Sequence, residues 1–106
     1  MATAEVKRYW SRVAELGCVC CGRPAELAHA HGGSLLDLGY YRAKGRKPSD
    51  WLVLPICPEH HRDVYRGGLD RDVRMWEDRW GDQVVYLRWL RTKLGVDVFA
   101  KAGIEA

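Results

Sequence analysis

Val6, Trp10, Val13 and Leu16 recur at steps of three and four, which lays one apolar stripe along residues 4–16, and Gly17 follows as a stop. This predicts an amphipathic helix. The pattern then changes. "GCVCCG" (17–22) reads as a tight, glycine-flanked turn, "AELAHA" (25–30) as a short extended segment, and "DWLVLPI" (50–56) as the clearest strand of the chain. Between the two strands lies a Gly-rich loop, 31–49. Pro58 suits a first helical turn and Gly67-Gly68 a stop, so "PEHHRDVYR" (58–66) is expected to be a helix directly after the second strand. Two more helices are expected over 69–96. Asp70 would cap one carrying Val73, Trp76 and Trp80, and Asp82 one carrying Val85, Trp89, Leu90 and Leu94, with Gly81 and Gly95 as stops. Residues 97–106 are expected to form a tail, with its last residues, "KAGIEA" (101–106), loose.

These elements predict one small α+β domain: an N-terminal helix (4–16), a ββα finger (17–68) and a C-terminal helical hairpin (69–96). With 106 residues, 47% of them hydrophobic, the chain is an ordinary globular mixture but has room for only a modest core, so a staple would help it. Four cysteines make that staple worth seeking. The N-terminus lacks the apolar run of a secretory signal, and no stretch approaches the roughly 20 apolar residues that span a bilayer, so a cytoplasmic address without membrane contact is expected. In a reducing compartment, closely spaced cysteines serve as metal ligands more often than as disulfides. The net charge of +3 mildly favours a polyanionic partner.

Cys18 and Cys21 form a C-x-x-C pair, and Cys57 with His60 forms a C-x-x-H pair across the two strands. Thiolates and imidazole in this double-knuckle spacing form a tetrahedral set for structural Zn²⁺. Cys20 could locally replace Cys18 or Cys21, but spacing favours the pair 18 and 21 and leaves Cys20 a free thiol. If His60 turns to the zinc, His61 points elsewhere, because neighbours on a helix diverge by about 100°. On an extended strand His29 and His31 share a face. A strand histidine opposite a helix histidine supplies the elements of a one-metal nuclease site. His29 would be the general base, His61 the ligand to a hard cation, and Asp50 would orient His29 or its loop. Arg42, Lys44, Arg46 and Lys47 in the loop are candidate contacts to a phosphate backbone. Trp76, Trp80 and Trp89 read as core rather than as a stacking platform.

The combination of "GCVCC", "AELAHAHG", "LPICPEHHR" and the tail "MWEDRWGDQVVYLRWLRTKLGV" resembles the HNH (ββα-metal) endonuclease superfamily, in particular the phage and prophage branch that includes RecA-dependent recombination-enhancement nucleases. The resemblance extends over about residues 6–96. It implies metal-dependent hydrolysis of DNA with low sequence specificity, Mg²⁺ or Mn²⁺ as the catalytic cation, and DNA and a recombinase or another DNA-processing protein as partners. His29 matches the family's general base, His61 its metal-binding histidine after the last zinc ligand, and Asp50 lies near its central Asn. Two positions depart from the family. Ala28 stands before the base and Tyr65 one turn after His61, where the family often has metal ligands. Waters, phosphate oxygens and His31, Asp50 or Asp63 would then complete the shell. The competing reading is a zinc-stabilised DNA-binding or protein-interaction module whose second site is degenerate.

Overall fold

The computed structural model describes residues 2–41, 48–63 and 67–105. The described elements run in the order α1 (Ala4–Ala14), β1 (Glu26–His29), a 3₁₀ helix (Gly33–Leu38), β2 (Val53–Ile56), α2 (Pro58–Arg62), α3 (Val73–Trp80), α4 (Gln83–Leu94) and α5 (Val98–Lys101). This is a small α+β fold. Its sheet has two antiparallel strands, β1 and β2, with Glu26 opposite Ile56 and His29 opposite Val53.

Register explains which side chains reach the surface. Along β1 alternate residues face opposite ways, and Ala28 and Ala30 are buried while His29 is half-exposed. Every residue of β2 is buried, since α1 and α4 both pack on it; that is why its sequence is a continuous apolar run. Leu54 and Ile56 of this strand share the core with Leu35, Leu52, Leu69, Trp76, Leu87 and Phe99. No helix among the described residues is long and apolar enough to cross a membrane.

Several expectations need correction. Helix α1 ends at Ala14, two residues before the stripe does, because Leu16 and Gly17 make tighter turn bonds to Val13 and Ala14. Helix α2 is only Pro58–Arg62, with Asp63 already extended at φ −68°, ψ 119°. The cap of α3 is Asp72, whose carboxylate accepts from the Met75 N–H, and Asp70 is used elsewhere. The Gly-rich loop contains the 3₁₀ helix, anchored by buried Leu35. Part of the expected tail is α5, which Asp97 caps and which buries Val98 and Phe99. Trp76 is core, as its spacing suggests, but Trp89 is 42% exposed. Tyr65 and the four cations Arg42, Lys44, Arg46 and Lys47 lie outside the described residues.

Candidate functional site

Two sites draw on the β-β-α segment, one through His60 and the other through His61 of α2. The first gathers the predicted metal ligands. The turn 18–23 is closed by the Cys18 N–H donating to the Arg23 carbonyl and the Gly22 N–H to the Cys18 carbonyl, and the Val19 N–H ties it to Pro55 of β2. Cys57 is the N-cap of α2, which puts His60 one turn along and turns its ring back toward it. Cys18, Cys21, Cys57 and His60 thereby bring one donor atom each within 4.8 Å of all the others. Cys21 Sγ lies 3.6 Å from Cys57 Sγ, and His60 Nδ1 lies 3.2 Å from Cys57 Sγ and 4.0 Å from Cys18 Sγ.

A tetrahedral Zn²⁺ with bonds of about 2.3 Å to sulfur and 2.0–2.1 Å to nitrogen spaces its ligands about 3.6–3.8 Å apart. The donor set therefore fits, and the cluster can hold a metal such as zinc. The protein also prepares the ligands for charge. Burial would raise the Cys18 thiol, but the backbone N–H groups of Cys57, Cys20 and Cys21 outweigh it and hold its pKa below the ordinary value. Cys20 goes the other way. Burial, reinforced by the negative charge of Cys18, pushes its pKa up, so it stays a neutral thiol. Its contribution is its N–H, 3.3 Å from Cys18 Sγ. The Trp80 ring stands edge-on to His60 at 5.1 Å and limits its rotation.

The second site is a cleft of about 420 Å³ lined by His29, His31, Pro48, His61 and Asp70. His29 Nε2 donates to Asp50 Oδ1 at 3.0 Å. Asp50 is held in turn by the indole N–H of Trp10, which donates to its carbonyl at 2.8 Å. His61 is gripped from both ends, with Nδ1 2.5 Å from Glu26 Oε2 and Nε2 2.9 Å from Asp70 Oδ2. The other oxygen of Asp70 lies 3.3 Å from His31 Nε2. Glu26 also takes a two-pronged contact from Arg62. Burial would raise the Glu26 carboxyl, yet the hydrogen bonds and charges of His61 and Arg62 prevail and hold its pKa below the ordinary carboxylate value.

The structure places His29, His31 and His61, all named from the sequence, around one cleft and sets Asp50 beside His29. Sequence reasoning missed Glu26 and Asp70. Glu26 was legible, since it precedes His29 on a strand and an acidic residue at a strand end is a natural partner for a facing histidine. Asp70 was hidden by its second plausible job as a helix cap. Its position depends on Gly68, where the returning chain lies so close to α2 that a Cβ would sit 2.7 Å from Asp63 N and 2.8 Å from Arg62 N. Leu69 and Asp70 N–H then donate to the His60 and His61 carbonyls, which sets Asp70 beside the imidazole. Asp63 ends α2 and is not among the residues lining the cleft. Ala28 faces the core, fully buried opposite Leu54, so a ligand at that position would have to point away from the backbone's natural direction.

Residues 1–96 match the family model described as "Protein of unknown function (DUF968)", and the chain belongs to that family. It is 29% identical over 100 residues to the "Uncharacterized protein YdfU" of Escherichia coli (strain K12). The match covers 89% of this chain and 24% of that protein, so the chain spans about a quarter of the relative's length. No solved structure matches it.

Proposed function

We propose that this member of the DUF968 family is a metal-dependent nuclease of the HNH type, in which the Cys₃His cluster holds structural zinc and the cleft hydrolyses DNA phosphodiesters. The observation that carries this reading is the convergence on one cleft of a strand histidine paired to a carboxylate and a helix histidine paired to two. His29, with Nε2–H given to Asp50, keeps its lone pair on Nδ1 and can accept a proton from water. His61, with Nδ1 committed to Glu26, offers Nε2 beside Asp70, and this carboxylate–histidine arrangement is the usual way to fix a metal-binding imidazole.

The donors suit a hard cation. Two ligands at right angles and about 2.1 Å from Mg²⁺ lie about 3.0 Å apart, close to the 2.9 Å between His61 Nε2 and Asp70 Oδ2. His61 and Asp70 would hold the ion, with His31 as a further donor. Asp70 thus takes over the oxygen ligand that the buried Ala28 cannot supply. When bound, the cation supplies positive charge to a phosphate oxygen and to the departing oxygen. In the proposed reaction His29 takes a proton from water, the water oxygen bonds to phosphorus, and the bond to the 3′-oxygen breaks. That oxygen leaves with a proton from solvent, giving a 5′-phosphate and a 3′-hydroxyl.

The test is nicking of supercoiled plasmid and cleavage of single-stranded DNA with Mg²⁺, Mn²⁺ or EDTA, comparing wild type with His29→Ala and His61→Ala. Cutting that needs metal and is lost in both variants, with zinc content unchanged, is the expected result. A specific observation favours a second reading, a zinc-stabilised binding module: both ring nitrogens of His61 have a carboxylate partner, Nδ1 in Glu26 and Nε2 in Asp70. That module would bind one zinc per chain and no second ion even in excess Mn²⁺.

A further inference from the structure

The hydrogen bonding between strands β1 and β2 ends where the Ala30 N–H donates to the Leu52 carbonyl at 2.8 Å. Residues of an antiparallel pair bond to the partner strand alternately, so the N–H and C=O of His31, one position on, face the opposite edge, away from β2. The next backbone unit is instead paired by a side chain. The His31 N–H donates to Gln83 Oε1 at 3.0 Å, and Gln83 Nε2 donates to the His31 carbonyl at 2.9 Å. A primary amide that accepts from one residue's N–H and donates to the same residue's C=O reproduces what a neighbouring strand would do.

Gln83 is the first residue of α4 and is completely buried. Burying an amide is unfavourable unless its polar atoms are bonded, and an apolar residue would fill the same space without that requirement. The rest of its surroundings hold it in one pose. The Gln83 N–H donates to Glu77 Oε2 at 2.8 Å, and Glu77 also accepts from the Ser34 hydroxyl at 2.6 Å and the Ser34 N–H at 3.0 Å. Gly33 permits that approach, since a Cβ there would fall 2.1 Å from Glu77 Oε1.

We propose that Gln83 is a positioning residue of the cleft, acting as a surrogate strand that keeps the backbone extended through His31. Extension matters because side chains alternate along a strand, so only an extended residue 31 shares the face of His29. Directly afterwards the chain turns away, with φ +61° at Gly32 and +49° at Gly33. Without the amide the turn could begin one residue earlier and carry the His31 imidazole off Asp70. The helical hairpin α3–α4 is then a working part of the cleft. The proposal rests on the reading of the cleft as a metal site for its effect on metal binding, and on geometry alone for its effect on His31.

The experiment compares Gln83→Met, which keeps the shape and loses both bonds, and Gln83→Asn, which is too short to make both, with Leu87→Ala. Leu87 is equally buried in α4 and serves as the control for core damage. Zinc content, thermal midpoint, hydrogen exchange at the His31 amide, nuclear Overhauser contact between His31 and Asp70, and Mn²⁺ affinity are measured for each. The expected result is that both Gln83 variants keep zinc but lose protection at His31 and its contact with Asp70, with Mn²⁺ affinity down at least tenfold. Leu87→Ala should lower the thermal midpoint and leave the His31 readouts in place. Wild-type protection and contact in Gln83→Met, or in Gln83→Asn if the first variant does not fold, overturns the proposal. If the wild type itself binds no Mn²⁺, the metal reading of the cleft fails, and the exchange and contact data still decide the role of Gln83.

Discussion

Asp70 Oδ2 lies 2.9 Å from His61 Nε2, joining a loop residue to the helix that precedes the loop. The His61 side chain is 12% exposed, so this carboxylate acts across poorly solvated space, where charge counts for more than at an open surface. Asp70→Asn keeps the shape and removes the charge. The expected outcome is a loss of Mn²⁺ affinity of about tenfold or more, with zinc content unchanged, read by electron paramagnetic resonance titration. Undiminished Mn²⁺ binding would remove Asp70 from the site.

Gly68 makes that relationship possible. Gly68→Ala places a methyl group against the backbone of α2, which cannot retract as a flexible side chain would. The strain should cost about 1–3 kcal/mol in urea unfolding, and relief of it should move Asp70 away from His61. The variant is therefore expected to lose Mn²⁺ affinity together with stability. A stable variant with intact Mn²⁺ binding would show that the close approach is dispensable.

The Cys₃His cluster predicts its own dependence on metal. Cys57 is both a ligand and the N-cap of α2, so Cys57→Ser should release zinc and unravel the segment that carries His60 and His61. Structural zinc contributes on the order of 10 kcal/mol to folding of small domains. Loss of cooperative thermal unfolding, in the variant and in chelator-treated wild type, is the expected outcome. A cooperative, fully helical Cys57→Ser protein would sink the assignment.

Glu26 gives a pH dependence with a definite sign. Its carboxyl titrates below the ordinary range in the fold, so its contribution to stability is complete above the unfolded-state value, about 4.3. That contribution is lost as pH falls through the lower folded value, because the unfolded chain binds the proton more readily. Glu26→Gln should flatten the acid limb of stability measured by urea unfolding between about pH 6 and pH 2. Parallel curves for the two proteins would contradict the ion pairing with His61 and Arg62.

Much of the frame was legible because each element carries a local cause. The apolar stripe of α1, the unbroken run of β2 and the paired knuckles all report periods or spacings that survive folding. Errors arose where two local uses compete for one residue. Asp70 and Asp72 are both good helix caps, and only the return of the chain over Gly68 decides that Asp72 caps while Asp70 meets His61. Gln83 carries no signal in the sequence, because its partner lies on β1's extension, a relationship that no periodicity encodes. Val98 and Phe99 fill space in the core, yet a helix of four residues is too short to show a stripe in the sequence.

The indole of Trp10 donates to Asp50 and stands edge-on to the His29 ring at 6.4 Å, so α1 braces the strand histidine from outside the β-β-α segment. This bears on portability. A fragment cut to residues 17–68 and grafted into a foreign protein would carry both knuckles, but it would leave behind the indole brace on one flank. A transplantable unit has to begin no later than α1.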